Sequence, residues 1–577
     1  MEQNLLSEEL NYDDIPLYDF AQRPDVIDIT MRYDRRFREY VRTHHFIKVG
    51  KVFAEGWAVA YIPSNMLETV ISDLNESHVP ALPRTLSLMG RASLISSGIL
   101  QVQQRPFMDL KGRGVLLGFI DTGIDYTKNA FRYEDGSSKI KYIWDQTIKT
   151  EQKDRLFIGT EYTQEDINKA LTGENPLEIL PHKDEIGHGT FVASVAGSRE
   201  DNEYLGAAPD SEIIMVKIRR LNDYYKKRLR VPEEEDDVYS STDLMLGIQY
   251  IIDKAQELNR PVSICISLGT SFGAHDGSSV TEDYISNLAK IRGVAISVAA
   301  GNESNTRRHT QGIIESTGGH VNFEMRIAEN APSAAVYAWS VPQDIMYLTV
   351  KSPTGEIVSR RPGLKDEAFS QRLILEKSIV NLHYYFPYEG RGNNLVVLYI
   401  DQPTPGIWTI TMNGTLIING DIHLWLPIFI NNQMMEFVTP TPNYTIITPS
   451  TATGVTTCGA YDQRNNSLFP ASSWGPSRLP ETLPDLVAPG VDVLGVLPTG
   501  YSNMSGTSVA AAMTAGASAL MLQWGLVDGN YPNLNNLRIK SFLVQGCERE
   551  ANMKYPNNQW GYGRLNLMQT FNILRRS

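Results

Sequence analysis

Cysteine is scarce in this chain. Cys265, Cys458 and Cys547 are the only three in 577 residues, and they lie far apart. An odd, dispersed set makes neither a disulfide framework nor the spaced ligand pairs of a zinc site. Cys265 and Cys458 fall in apolar, strand-like runs and read as buried thiols. Positive charge is short as well: 53 Lys and Arg against 66 Asp and Glu leave a net charge of −13. A nucleic-acid binder normally carries the opposite sign, so the reading is an acidic surface and no nucleic-acid partner. Long apolar runs are missing too. The strongest, Ile422 to Ile430, is broken by His423 and Pro427. It falls far short of the roughly 20 residues that a spanning helix needs. No Lys or Arg precedes Arg23, whereas a secretory signal needs a basic start ahead of an apolar stretch. These absences predict no membrane span and a place in the cell interior or a compartment derived from it.

What is present suffices for a large core. Apolar residues make up 42% and charged residues 21%, with Gly (44) and Pro (30) near average usage. Collagen-like, low-complexity and wholly disordered chains are excluded. Residues 1–40 are polar and charged. Phe46 to Ile62 then reads as two short strands turning at Glu55-Gly56. Asn65 to Leu74 follows with Met66, Val70, Ile71 and Leu74 on one helical face. Segment 84–98, rich in small and polar residues, reads as a link.

From Gly114 strands and helices alternate. Gly114–Ile120, Ile213–Ile218, Val262–Leu268 and Val294–Ala299 read as strands. Gly189–Ala196, Ser241–Leu258 and Asp283–Ile291 read as helices. The pattern predicts an α/β fold: a parallel sheet with helices on both faces. Between Gly319 and Pro440 the alternation stops. Short strands between Pro, Gly and Asn turns predict an inserted all-β domain of sandwich or jelly-roll type. Gly454–Ala460 and a long helix from Ser508 to Leu522 restore the α/β character. The expected domains are 1–96, 97–319, 320–440 and 441–577, the second and fourth forming one unit.

Three segments carry chemistry: Asp121-Thr-Gly-Ile-Asp125 at the carboxyl end of a buried strand, Gly187-His-Gly-Thr190 opening a helix, and Ser505-Gly-Thr-Ser508 opening another. In open α/β sheets, sites form at strand carboxyl ends and helix amino ends. A serine hydroxyl becomes a nucleophile when a histidine takes its proton and a buried carboxylate fixes that histidine. Each segment alone is weak, since a DTG also makes a turn and SGTS also caps helices. Together they place Asp121, His188 and Ser508 in one of the known triad orders. Ala299-Ala-Gly-Asn302, after an apolar strand, adds an oxyanion donor in Asn302 beside the Ser508 backbone N–H.

These motifs resemble the subtilisin family of serine proteases, with GHGTFVASVAG at 187–197, SLG at 267–269, SVAAGNE at 297–303, DLVAPG at 485–490 and SGTSVAA at 505–511. The resemblance implies a serine endopeptidase with nucleophile Ser508, base His188, orienting carboxylate Asp121 and oxyanion hole Asn302 and Ser508. It implies substrate binding at Ser267, Leu268, Gly269, Ala300 and Gly301, with 262–269 as an edge that pairs with an extended peptide. The N-terminal unit is similar to the family's prodomain, bound in cis or retained after self-cleavage between Pro83 and Ser97, with Met89 to Ala92 the favoured neighbourhood. That segment is expected to lie extended in the cleft.

The leaderless chain and the all-β insert resemble the clostridial Csp proteases of spore germination, which implies a spore-associated role in activating a cortex-hydrolase zymogen. The alternative is a regulatory binding protein on the same scaffold. The sequence also departs from secreted subtilisins. Val509-Ala-Ala-Ala-Met513 follows the nucleophile, and residues 221–238 add a charged loop. Segment 163–171, between Asp121 and His188, reads as an extra helix capped by Thr163. The family's calcium site takes an Asp nine residues after the triad Asp. Ala130 stands there, so no metal and no cofactor are expected.

Overall fold

Leu116–Asp121 (β1) is buried at every position, as a strand covered on both faces must be. It is the centre of a nine-stranded sheet. The others in chain order are β2 (Ile140–Asp145), β3 (Thr160–Thr163), β4 (Glu212–Lys217), β5 (Val262–Ile266), β6 (Val294–Ala299), β7 (Thr456–Asp462), β8 (Ser467–Leu468) and β9 (Leu486–Pro489). The computed structural model describes residues 12–575 apart from 13–14, 22, 24, 53–56, 75–89, 106–107, 150–157, 200–203, 360–366, 389–392, 429–433 and 479. The strand order is β8-β7-β6-β5-β1-β4-β2-β3, with β9 on β7. All pairings are parallel except β2–β3 and β7–β8. Alternate side chains of β1 feed two cores. Leu117 and Phe119 join one with helices α1 (His188–Gly197) and α3 (Thr507–Leu522). Leu116 and Ile120 join the other with α2 (Ser241–Glu257). The α/β sheet with helices on both faces is therefore as expected.

Helix α3 packs against β5, β6 and β7. Gly516 permits close approach: a Cβ there would stand 2.3 Å from the Cβ of Ala207. The stretch Thr507–Val527 is long and apolar enough to cross a membrane, but 89% of its apolar window is buried. It is a core helix whose Thr, Ser and Gly residues keep it from being one unbroken apolar run.

Two further antiparallel sheets share one core, which draws on Phe323, Val350 and Trp408 from one and Val336, Leu398 and Leu424 from the other. Their strands run from His309 to Phe437. His309–Ile313 pairs with Asp421–Trp425, so this all-β region begins before the expected boundary at 320. Polar residues in that strand hid it.

The contacts divide the chain into a unit 1–88 and a unit 89–577. In the first, strands Val26–Arg32, Trp57–Pro63 and Lys48–Val52 form an antiparallel sheet in that order. Helices Arg35–Thr43 and Leu67–Leu74 contribute Phe37, Tyr40, Val70 and Leu74 to its core. The strand at 26–32 and the helix at 35–43 lie in the stretch read as merely polar. That helix buries only Phe37 and Tyr40, too few to show a stripe. The expected turn at Glu55-Gly56 lies outside the described residues.

Segment 90–96, expected to be extended, is a helix. Its Leu94 joins the core of the larger unit, and the Ser97 carbonyl accepts from Leu567 N–H at 2.8 Å. Burial of Leu94 outweighs the small residues that suggested a link, and the expected domain boundary at 96 falls inside this docked segment. The charged loop 221–238 contains a short helix, Asp223–Arg228, capped by Asn222. The extra helix is Gln164–Leu171, with a capping box between Thr163 and Asp166.

Candidate active site

Asp121 ends β1 with no solvent exposure. The order of strands places it where β4 and β5 diverge to either side, the position at which such sheets open a crevice. Its Oδ1 accepts from Thr122 N–H at 2.7 Å, and Oδ1 and Oδ2 stand 2.8 and 3.0 Å from His188 Nδ1. Ser267 Oγ donates to Oδ2. Burial pushes this carboxyl up, but the His188 charge and these hydrogen bonds outweigh it and hold it below its ordinary value. Burial likewise pulls His188 down, and Asp121 overrides it, so the imidazole lies above its usual range.

His188 opens α1 behind Gly187, whose φ of +85° favours glycine. Gly189 lets the helix start close against the strand end: a Cβ there would stand 2.2 Å from the Gly123 carbonyl. Asp184 locks the two segments together. It accepts from Thr122 Oγ1 at 2.7 Å, from Gly187 N–H at 2.8 Å, and from Thr190 N–H and Oγ1 at 2.8 and 2.6 Å.

Ser508 sits in the first turn of α3, where free N–H groups and the helix dipole favour negative charge. Its hydroxyl donates to the Ser267 carbonyl at 3.3 Å. Among the described residues it makes no hydrogen bond to His188. Asn302 Oδ1 accepts from both the N–H and Oγ1 of Thr507, each at 3.1 Å. Thr507 Oγ1 in turn accepts from Gly301 N–H at 3.1 Å. With Oδ1 so held, Asn302 Nδ2 has no partner among the described residues and is left to donate.

The expected substrate-binding residues divide. Strand β5 lies inside the sheet between β1 and β6, so 262–266 is not an edge, and only the segment beyond Ile266 leaves the ladder. Leu268 and Gly269 make no backbone hydrogen bond among the described residues, and Gly269 is exposed. Ala300 N–H donates to the Cys458 carbonyl at 2.9 Å, and its carbonyl accepts from Ile447 at 3.0 Å. The Gly301 carbonyl accepts from Ser473 at 2.9 Å. Ala300 and Gly301 are therefore buried and committed to internal hydrogen bonds.

Ile447, absent from the sequence reading, fills the space between the two walls. A Cβ on Gly269 would stand 2.3 Å from its Cδ1, and one on Gly301 would stand 2.9 Å from its Cγ2. The Thr507 anchor and the Ser267 hydroxyl also escaped that reading. Their only signal is place: Thr507 precedes Ser508 in its motif, and Ser267 reads in the sequence as a substrate-binding residue, not as a partner of Asp121. Ala130 is buried, and α1 runs unbroken to Gly197. Among the described residues no three His, Cys, Asp or Glu side chains are grouped to hold a metal.

The Peptidase S8, or subtilase, family profile matches residues 112–337 and 431–563. The solved structure of the Clostridium perfringens CspB protease superposes with a TM-score of 0.73. It is 32% identical and covers 84% of this chain and 97% of that one. The PII-type proteinase of Lacticaseibacillus paracasei is 22% identical over 509 residues, which is 79% of this chain but a quarter (25%) of that protein's length. Subtilisin-like protease 4 of Arthroderma gypseum is 23% identical over 362 residues, 59% of this chain and 71% of that one. Because the matched segments contain the strands and helices that carry Asp121, His188, Asn302 and Ser508, the chain belongs to the subtilase family.

Proposed function

We propose that the chain is a serine endopeptidase working through an acyl-enzyme. The observation that carries this is the buried Asp121 carboxylate 2.8 Å from the partly exposed His188, with Ser267 linking it to a serine at a helix N-terminus. Ser508 swings from the Ser267 carbonyl toward His188, which takes its proton as the oxygen attacks the peptide carbonyl. Asp121 stabilises the imidazolium. Asn302 Nδ2 and the Ser508 N–H receive the oxyanion. His188 returns the proton to the leaving amine, and water then clears the acyl group by the same steps.

The side chain on the acyl side of the cut bond must enter between 267–269 and 300–302, because Ser508 touches Ser267 and Asn302 adjoins Gly301. Ile447 occupies that gap, so the preferred residue there is small. The first unit acts as a prodomain, bound in cis and cut from the larger unit, then kept as an inhibitor. A docked helix is a poor substrate, so the cut precedes Gly90. With a small residue required, Thr85 and Ser87 are its acyl side. The CspB likeness supports a germination role, activation of a spore-cortex hydrolase zymogen, in the cell interior or the spore. Peptide is the only partner the site needs, with no cofactor.

Expression of wild type and Ser508→Ala tests this reading. Wild type should separate into fragments of about 87 and 490 residues, with N-terminal sequencing placing the cut, while Ser508→Ala stays whole. Cleavage in both, or in neither after exposure to exogenous peptide, contradicts it.

A further inference from the structure

A second His–Asp pair lies behind the turn that carries Asp121 and takes no part in the chemistry above. The side chains of His182 and Asp145 are 0% and 1% exposed. His182 Nδ1 and Asp145 Oδ2 are 2.6 Å apart. The other ring nitrogen meets the backbone: Ile124 N–H donates to His182 Nε2 at 3.1 Å. An amide N–H can only donate, so Nε2 is bare and Nδ1 carries the proton. Asp145, at the end of β2, is fixed in turn by Thr147, whose N–H and hydroxyl donate to Oδ1 at 2.9 and 2.5 Å. Burial pushes this carboxyl up, but His182 and Thr147 outweigh it and hold it below its ordinary value. It is an anion that sets the tautomer of the ring.

The amide it serves belongs to the same turn as Asp121. Between them Gly123 has φ +118°, and a Cβ there would stand 3.1 Å from the Lys183 carbonyl and 3.2 Å from His182 Cε1. The turn is also held at Asp125, whose N–H donates to Thr190 Oγ1 at 2.9 Å, and at Tyr126, whose hydroxyl donates to the Leu180 carbonyl at 2.9 Å. Stability alone does not call for a buried polar pair, since well-packed apolar residues often serve as well. What only this pair supplies is an acceptor of fixed direction under the Ile124 amide.

We propose that His182, held in its Nδ1–H tautomer by Asp145, is a positioning residue that fixes the Asp121–Ile124 turn and thereby aims the Asp121 carboxylate at His188. This rests on the serine-protease reading. A misplacement of about 1 Å at a reacting centre costs on the order of 10²-fold in rate.

Asp145→Asn keeps the shape and reverses the polarity. Its Oδ1 retains the Thr147 bonds while its amide presents N–H to His182 Nδ1. The ring must then carry its proton on Nε2, facing the Ile124 N–H, donor against donor. His182→Leu removes the acceptor. His182→Gln keeps it, with Oε1 toward Ile124 and Nε2 toward Asp145.

The full-length variants are compared by their rate of labelling with a fluorophosphonate. Asp145→Asn and His182→Leu should lower the maximal rate about 10–100-fold at unchanged half-saturating probe, while His182→Gln stays within about threefold. A second readout does not depend on activity. In ¹⁵N-histidine-labelled protein, the His182 signal, identified by its loss in His182→Gln, should show protonated Nδ1 and bare Nε2, and the reverse in Asp145→Asn. A protonated Nε2 in wild type overturns the tautomer argument. Reversal in Asp145→Asn with an unchanged labelling rate overturns the positioning role. Wild type that does not label at all, with the tautomer as expected, instead sinks the protease reading on which that role rests.

Discussion

The hydroxyl of Ser508 donates to the carbonyl of Ser267 at 3.3 Å, while the hydroxyl of the same Ser267 donates to Asp121. One residue thus touches both ends of the Ser–His–Asp line. In the proposed mechanism the hydroxyl leaves this carbonyl when it turns to His188. Catalytic hydrogen bonds are often loose without substrate and tighten on binding.

The Ser267 hydroxyl should therefore matter to the acid. Ser267→Ala removes a charge-assisted hydrogen bond of about 1.5–3 kcal/mol. A fall of about tenfold in kcat is expected, with KM little changed. Steady-state kinetics on a fluorogenic peptide check it, and an unaltered kcat would show that the bond is incidental.

Acid should silence the enzyme early. The base works neutral, and Asp121 holds His188 above its ordinary value. The rise of kcat/KM with pH should thus have its midpoint above about 6.5. Asp121→Asn removes the cause, so the midpoint moves down while kcat drops about 10⁴-fold. The same linkage acts on stability. A raised histidine pKa adds stability that is whole below its unfolded value and is lost as pH rises through the folded one. From about pH 6.5 upward, where that contribution is lost, the melting temperature of Asp121→Asn should therefore vary less with pH than that of wild type. A pH–rate midpoint unmoved in Asp121→Asn contradicts the assignment of His188.

Removal of the oxyanion donor should cost more than removal of its anchor. Asn302→Ala is expected to lower kcat by about 10²–10³. Thr507→Val removes the hydroxyl bond to Asn302 and keeps the backbone N–H bond, so the amide is loosened and a loss of up to about tenfold is expected. Equal and negligible effects would show that the oxyanion is held elsewhere.

Ile447 should set the size of the acyl-side residue. In peptide libraries, wild type should favour Ala, Ser and Thr there. Ile447→Ala should raise kcat/KM for Phe at least tenfold relative to Ala, since a few buried methylenes are worth about 1–3 kcal/mol. Wild type that prefers Phe or Leu contradicts the plug.

The sequence was most legible where burial is complete. Strand β1, buried at all six positions, shows as an unbroken apolar run, and the motifs at its end mark Asp121. Legibility fades where burial is partial. The helix Arg35–Thr43 buries only two side chains, and Glu367–Arg372 is an outer strand of its sheet with mostly exposed residues. It fails altogether for pairs joined only by the fold. Asp145 and His182 are 37 residues apart, and nothing in either neighbourhood announces the other. Ile447 is invisible for the same reason, since its role comes from two glycines in the segments that follow β5 and β6.

Labelling of the purified protein by a fluorophosphonate, with Ser508→Ala as control, tests the central claim most directly. The probe reacts only with a serine whose base and oxyanion donors are assembled. The account predicts one label per wild-type chain, mapped to Ser508 by mass spectrometry, and none in Ser508→Ala or His188→Ala. Wild type that remains unlabelled after removal of residues 1–89, or label found on another serine, contradicts it.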